Sequence, residues 1–479
     1  MQIESTFQNK QKQKNNIFYS SSAVFLVLQN KTLNIQTEIS CFNHFLLKRG
    51  ISNVKANIVV RELDGTVRSK FEFDFIDPKV YTVDPCQNIE GDFIGSVSIN
   101  FNSEYNIAVP FSAVVVSISS AKSVCALHTY GRALESKEIG TSIDLSKTKE
   151  TGITLRDNEN VRSFIVFHNG ATSGYLTFSL EIVNYNNEKL TKEWQQYVNE
   201  YETVFIYVDE KFKNLKSILN NYLGHAKLSI DNLNGVFPRM MCGNMSVLNS
   251  ENKNITYANE IQFTHTNFDF GVLSQPDAIS SKAYFNHPDL LDGYCIFYPV
   301  VTDKKILINN TEFKSDLLQV IDVKPFKQLN IHSEGSNLPS RLISASVGKW
   351  PNKSVDSECS TGIFVGDYNK SPLHWHWGLL RPGKEQGNSI ISIFYNEFDD
   401  NCIDNRELEF KIYGTHGLVF KKDIIIQGNQ LLDINNFDLK VDSVDCLWFT
   451  LIGDNLEDLN IFATFYPFND KSGFTEHAF

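Results

Sequence analysis

The run PLHWHWG sets His374 and His376 on one side of an extended backbone, with Leu373, Trp375 and Trp377 on the other, because side chains alternate across a strand. Two imidazoles on one face are a start for zinc, which takes neutral nitrogen ligands tetrahedrally and needs a third ligand plus water for hydrolytic chemistry. A second constellation lies in FTHTNFDF, Phe263 to Phe270, where alternation puts Phe263, His265, Asn267 and Asp269 on one face, while the preceding VFPRMMCGN supplies Arg239. Imidazole, amide and carboxylate beside a guanidinium can bind a polyol or an acidic sugar through paired and bidentate hydrogen bonds. The competing reading of this face is the polar exterior of a sheet whose other side is core. The candidate binding residues are therefore Arg239, His265, Asn267, Asp269, His374 and His376. No catalytic residue is nominated, because a glycosidase needs two carboxylates at a defined separation and no such pair stands out.

The five residues HWHWG resemble the metal-binding strand of the alpha-class carbonic anhydrases, whose His-x-His supplies two zinc ligands. The resemblance implies zinc at His374 and His376. That family's third histidine has no counterpart that can be placed here, and the repeat described below implies a different fold, so no metal and no cofactor is expected. The acidic run NEFDDNCIDNRELE, Asn396 to Glu409, lacks the glycine and the spacing of an EF-hand loop and reads as a solvated turn. Phosphate-loop, dinucleotide, GxSxG and HExxH patterns do not occur. The eight cysteines are scattered singly, without the CxxC pairs of zinc or redox sites, and several sit in apolar runs where a free thiol behaves as a small hydrophobe.

What must position these groups is a pattern that occurs four times. Each copy has a short apolar run ending in aspartate (Asp84, Asp209, Asp322, Asp433), then an alternating strand (from Ser96, Ala226, Lys327 and Leu447), then an apolar stretch, then a closing histidine (His128, His265, His374 with His376, and His477). The aspartate and the first closing histidine are 44, 56, 52 and 44 residues apart. Each copy opens on a strand-like run: SAVFLVLQN, RSFIVFHNG, DGYCIFYPV and SIISIFYNE. The implied division is a polar lead over 1–19 and four β-sandwich units over 20–132, 160–270, 283–380 and 388–479. The second unit carries a small helical insertion near 189–223, with a helical pattern from Lys189 to Tyr201 and a second helix in DEKFKNLKSILNNYLG, capped by Asp209 and stopped by Gly224. The recurrent aspartates read as caps of turns, since a reaction rarely needs four equivalent acids. The repeated histidines read as shared structural hydrogen bonds.

The 479 residues are 42% hydrophobic and carry a net charge of −12, which supports several cores and disfavours a phosphate-backbone partner, so no nucleic acid is expected. No apolar leader or membrane-spanning run is apparent, and the default expectation is a cytoplasmic protein. The functional expectation is a non-catalytic binding or scaffolding protein of tandem all-β sandwiches that recognises a glycan or a protein, with Trp194, Trp350, Trp375 and Trp377 as stacking platforms. Two alternatives stand beside it. One is an enzyme acting on a carbohydrate or polar metabolite in unit two or between units two and three. The other is a structural assembly subunit, since sandwiches stack edge to edge into oligomers.

Overall fold

A computed structural model describes residues 19–104, 107, 113–128, 132–133, 149–158, 160–220, 223–231, 236–237, 240–248, 253–264, 267–268, 280–285, 292–298, 305–314, 317–323, 327–333, 344–360, 363–365, 373–381, 387–395, 405–439 and 446–478. The chain is all-β, built from antiparallel sheets. The first sandwich contains β1 (Tyr19–Gln29), β2 (Gln36–Phe42), β3 (Lys55–Glu62), β4 (Val67–Asp74), β5 (Val80–Val83), β6 (Phe93–Ser103), β7 (Val114–Ser119) and β8 (Val124–Leu127). Its sheets run β1-β6-β3-β4 and β5-β2-β7-β8.

The same two strand orders recur three times. The second sandwich uses Lys149–Arg156, Val161–His168, Gly174–Asn184, Lys189–Val198, Thr203–Tyr207, Leu223–Asp231, Met241–Ser246 and Ile261–Thr264 as counterparts of β1 to β8. The third uses Ser280–Phe285, Asp292–Phe297, Ile306–Ile308, Thr311–Phe313, Gln319–Asp322, Lys327–Ser333, Ser344–Lys349 and Ser357–Ser360. The fourth uses His374–Leu380, Gly387–Tyr395, Asn405–Gly414, Gly417–Gln427, Gln430–Asp433, Leu447–Gly453, Leu459–Pro467 and Phe474–His477. The four alternating runs read from the sequence are β6 and its three counterparts.

A hydrogen-bond device recurs with the strand order. The Thr37 hydroxyl donates to the Leu28 carbonyl and accepts from the Leu28 amide, both at 2.8 Å, tying β2 in one sheet to β1 in the other. Ser163 does the same to Arg156, and Ser389 to Arg381, at matching places in the second and fourth sandwiches. A hydroxyl suits the position because it donates and accepts at once.

The β2 counterparts Val161–His168 and Gly387–Tyr395 are buried on both faces, which explains runs such as RSFIVFH and SIISIFY that do not alternate. In Val161–His168 every residue is buried. Ile165 and Phe167 join the second sandwich's own core, whereas Phe164 and Val166 pack into the core that includes Phe25, Leu26 and Val97 of the first. Each such fully buried side chain contributes roughly 1.5–3 kcal/mol over an exposed one. Tyr294, Ile296 and Tyr298 of the third sandwich pack on Leu223 of the second. Phe394 and Phe462 of the fourth pack on Cys359 of the third. Phe42, Val80 and Val115 of the first pack on Leu379 and Trp448 of the fourth. The contacts therefore run from each sandwich to the next and from the fourth back to the first, the head-to-tail arrangement that closes when rotation completes a ring.

Local differences from the sequence reading have physical causes. Lys189–Val198 is a strand, not a helix: it pairs along its length with Gly174–Asn184 at a sheet edge, and its outer charged residues are those of a protected edge. The helix expected after Asp209 is two single turns, Val208–Lys211 and Leu215–Ile218, because Asn214 adopts a left-handed conformation, φ +67°, between them. Phe212, Leu215 and Leu219 still face the core. Gly224 lies within the strand Leu223–Asp231 and stops no helix. Asp209 caps nothing; it receives Nε of Arg162 at 2.8 and 2.9 Å. Asp84 and Asp433 are turn caps as expected, accepting from the amides of Cys86 and Asn435. Strand pairing also places His374–Leu380 beside Leu447–Gly453 as the opening strand of the fourth sandwich.

Candidate functional site

The final strands of the four sandwiches meet. β8 lies against Ile261–Thr264 and Phe474–His477, and Ser357–Ser360 lies against the same two, so the four form a closed cycle. Polar groups stitch the junction. The Ser120 hydroxyl donates to the Asn259 carbonyl at 2.5 Å, the Ile261 amide to the Ser123 hydroxyl, and the Val124 amide to the Ser472 carbonyl. Gln262 reaches Ser472 and the Gly473 carbonyl, both at 3.0 Å. Glu260 accepts from the amides of Ser354 and Val355.

At the corner between first and fourth sandwiches stand two of the repeated closing histidines. His128 follows β8, and Nδ1 of its ring donates to Oε1 of Glu476 at 2.5 Å. His477 Nδ1 lies 3.3 Å from the same oxygen, and the two imidazole rings meet edge to face at 4.3 Å. The side chains of His128 and Glu476 are 2% exposed and that of His477 23%. One ligand atom from each of the three lies within 4.8 Å of the others, so this cluster can hold a metal ion. The sequence repeat singled out both histidines, but Glu476 carries no signal because its partner His128 lies 348 residues away in the chain.

Of the residues nominated from sequence, His374 and His376 are brought together, their ring centroids 4.7 Å apart. His376 is buried and its Nε2 lies 2.8 Å from the Leu456 carbonyl; His374 Nδ1 is 3.7 Å from Glu457. Burial holds the His374 imidazole down at about 4, with Lys48 adding to the effect. The face opposite these histidines packs between sandwiches: Trp377 stacks on His44 at 5.6 Å, with Lys48 over its ring. Asn267 lies in a two-residue strand paired with Lys149–Arg156. Arg239, His265 and Asp269 lie outside the described residues, as do residues 396–404 of the acidic run.

A cavity of about 260 Å³ lies between the second and third sandwiches, lined by Arg156, Asp157, Tyr294, Asp322, Lys349 and Asp356 among others. Arg156 donates to Asp356 at 2.8 Å. Burial, then the neighbouring Asp209 carboxylate, raises Asp157 to about 6. No family model and no curated protein matches the chain. Its chemistry rests on these geometries alone.

The tryptophans serve the interior more than the surface. Trp194 stacks on Phe178 at 5.1 Å, and Trp350 is buried and donates to Ser357. Seven of the cysteines are buried thiols outside any disulfide; burial pushes Cys86, Cys125 and Cys295 up to about 12. Thiolate chemistry is thereby suppressed at these three sites. No helix among the described residues is long and apolar enough to cross a membrane.

Proposed function

We propose that this protein is a non-catalytic scaffold: four sandwiches closed on one another that present their outer strands to a glycan or a protein partner. The observation that carries this reading is the use of the second sheet of each sandwich as joint rather than binding surface. Among the described residues, Arg156, Glu260, Gln262 and Arg381 are spent on holding sandwiches together. The outward hairpin of the second sandwich supplies a binding surface, where Tyr175 and Tyr197 are 65% and 49% exposed and meet edge to face at 5.2 Å. Exposed tyrosines offer a flat apolar ring with a polar tip, the chemistry that stacks on sugars and anchors protein contacts.

A glycan array read with the intact chain, alongside light scattering, tests the proposal. Binding to a defined glycan class that falls in a Tyr175→Ala, Tyr197→Ala double variant supports recognition, and a large uniform particle with no glycan signal supports assembly with copies of itself. Turnover of a carbohydrate or small metabolite would overturn the non-catalytic reading. The cavity between second and third sandwiches favours the enzyme or metabolite-binding alternative, because it gathers Arg156 and Lys349 with Asp157, Asp322 and Asp356 into a mixed charged lining suited to a polar metabolite.

A further inference from the structure

We propose that His128, Glu476 and His477 form a binding site for a divalent zinc-type ion that fastens the first sandwich to the fourth. Zinc is held by neutral imidazole and carboxylate at about 2.0–2.2 Å, and tetrahedral angles then separate neighbouring ligand atoms by about 3.3 Å. The three side chains already hold their ligand atoms within 4.8 Å of one another. The 2.5 Å contact between His128 Nδ1 and Glu476 Oε1 needs to open by less than an ångström as the ion takes the place of the shared proton. Adjacent residues on a strand ordinarily point to opposite faces, but the Glu476 carboxylate turns back along the chain, its Oε1 accepting from the His477 amide at 3.2 Å. That bend brings carboxylate and His477 imidazole to one side at the end of the last strand.

The ligand set selects the ion. Two nitrogens and one carboxylate oxygen suit zinc or a neighbouring transition metal, whereas calcium and magnesium require oxygens. Burial of His128 and Glu476 keeps competing water away, and the partial exposure of His477 leaves an entry path and a fourth position for water. His128 lies 348 residues from Glu476 in the chain, on the first sandwich against the fourth, so bound metal favours the closed arrangement over any state with first and fourth sandwiches apart.

The test is a titration of the metal-stripped full chain with Zn²⁺, read by calorimetry and thermal unfolding, and with Co²⁺, read by the visible spectrum. The expected result is one ion per chain, a four-coordinate cobalt spectrum and a rise in unfolding temperature. His477→Ala, at a partly exposed position that leaves the core intact, and Glu476→Gln, which keeps shape and hydrogen bonding, should each weaken binding about tenfold or more. His374→Ala should bind as the parent does. Absence of saturable one-to-one binding by the parent below about 100 µM free ion, or parent-like affinity in both ligand variants, would overturn the site.

Discussion

Arg381 and Glu38 form a 2.7 Å ion pair that joins the fourth sandwich to the first across most of the chain. Arg156 occupies the matching place in the second sandwich, held by the same serine device, and pairs with Asp356 of the third at 2.8 Å. One position in the repeat thus supplies a guanidinium to the next sandwich at both the internal joint and the closing one. The closing joint is therefore built like an internal one, as expected if it forms in the folded monomer rather than between separate copies.

Ser40 and Trp448 make that joint testable. Trp448 is fully buried, and its Nε1 donates to the Ser40 hydroxyl at 2.6 Å, as does the Cys446 thiol at 3.1 Å. Ser40→Ala should cost about 1–3 kcal/mol, because it strands a buried donor. Trp448→Phe keeps most of the ring and removes the donor, so the double variant should recover part of the loss. A denaturant-unfolding cycle with no coupling between the substitutions would show that this joint does not form in the folded chain.

Much of this arrangement was legible in the sequence, and the rest was hidden for identifiable reasons. The strands from Ala226 and Lys327, and the later part of the one from Ser96, turn one face to the core, so period two survives in their residues, whereas the strand from Leu447 is buried on both faces because its Trp448 enters the joint with the first sandwich. The runs RSFIVFH, GYCIFY and SIISIFY are buried on both sides and lose it; being the most apolar, they read as unit openings although each is the second strand of its sandwich. His374 shows the same slip, closing a unit by sequence and opening one by pairing. The break at Asn214 could not be read from a helical pattern whose apolar residues do face the core. Glu476 and Asp356 are invisible as partners because contacts made across sandwiches leave no periodic mark.

The buried histidines set an acid limit. Burial holds His44, His168 and His225 down at about 3, against an ordinary value of 6.5. Between those values the unfolded chain takes up protons that the folded one refuses, so stability is full above about pH 6.5 and falls as pH drops toward 3, by up to about 1.4 kcal/mol per pH unit for each ring. Asp157, raised to about 6, acts oppositely between about pH 6 and 4, where the folded state holds the extra proton. Three rings outweigh one carboxyl. Unfolding free energy measured from pH 7 to 4 should fall, and His168→Gln should reduce the slope; a flat profile would mean that these rings are protonated in the fold.

Gly243 is fixed by close approach rather than by backbone angle. A Cβ there would lie 2.4 Å from the Gln262 carbonyl oxygen and 2.8 Å from the Phe164 ring, in a strand buried on both faces. Neither neighbour can retreat cheaply: the carbonyl belongs to the paired strand, and Phe164 fills the joint with the first sandwich. Gly243→Ala should therefore destabilise by about 1–3 kcal/mol, the usual cost of overpacking, where the same change at an open strand position would be neutral or favourable. Thermal unfolding of the variant decides between the two.

Asp209 distinguishes a cap from a counter-ion. As an N-cap its loss would cost about 1 kcal/mol. The structure places it against Arg162, a guanidinium whose side chain is 2% exposed and which also donates to the Lys253 carbonyl, pairs with Glu210 and lies 3.8 Å over the Tyr207 ring. Removing the carboxylate leaves that buried cation with Glu210, itself 60% exposed, and the nearby Asp157 carboxyl as remaining counter-charges. Asp209→Ala should then cost about 3 kcal/mol, within the range for breaking a buried pair, and Arg162→Met in the same chain should restore much of the loss by removing the stranded charge. A single-variant cost near 1 kcal/mol without rescue would fit a capping role and contradict the ion pair. Rescue by methionine separates the two, because a missing cap is indifferent to the residue at 162.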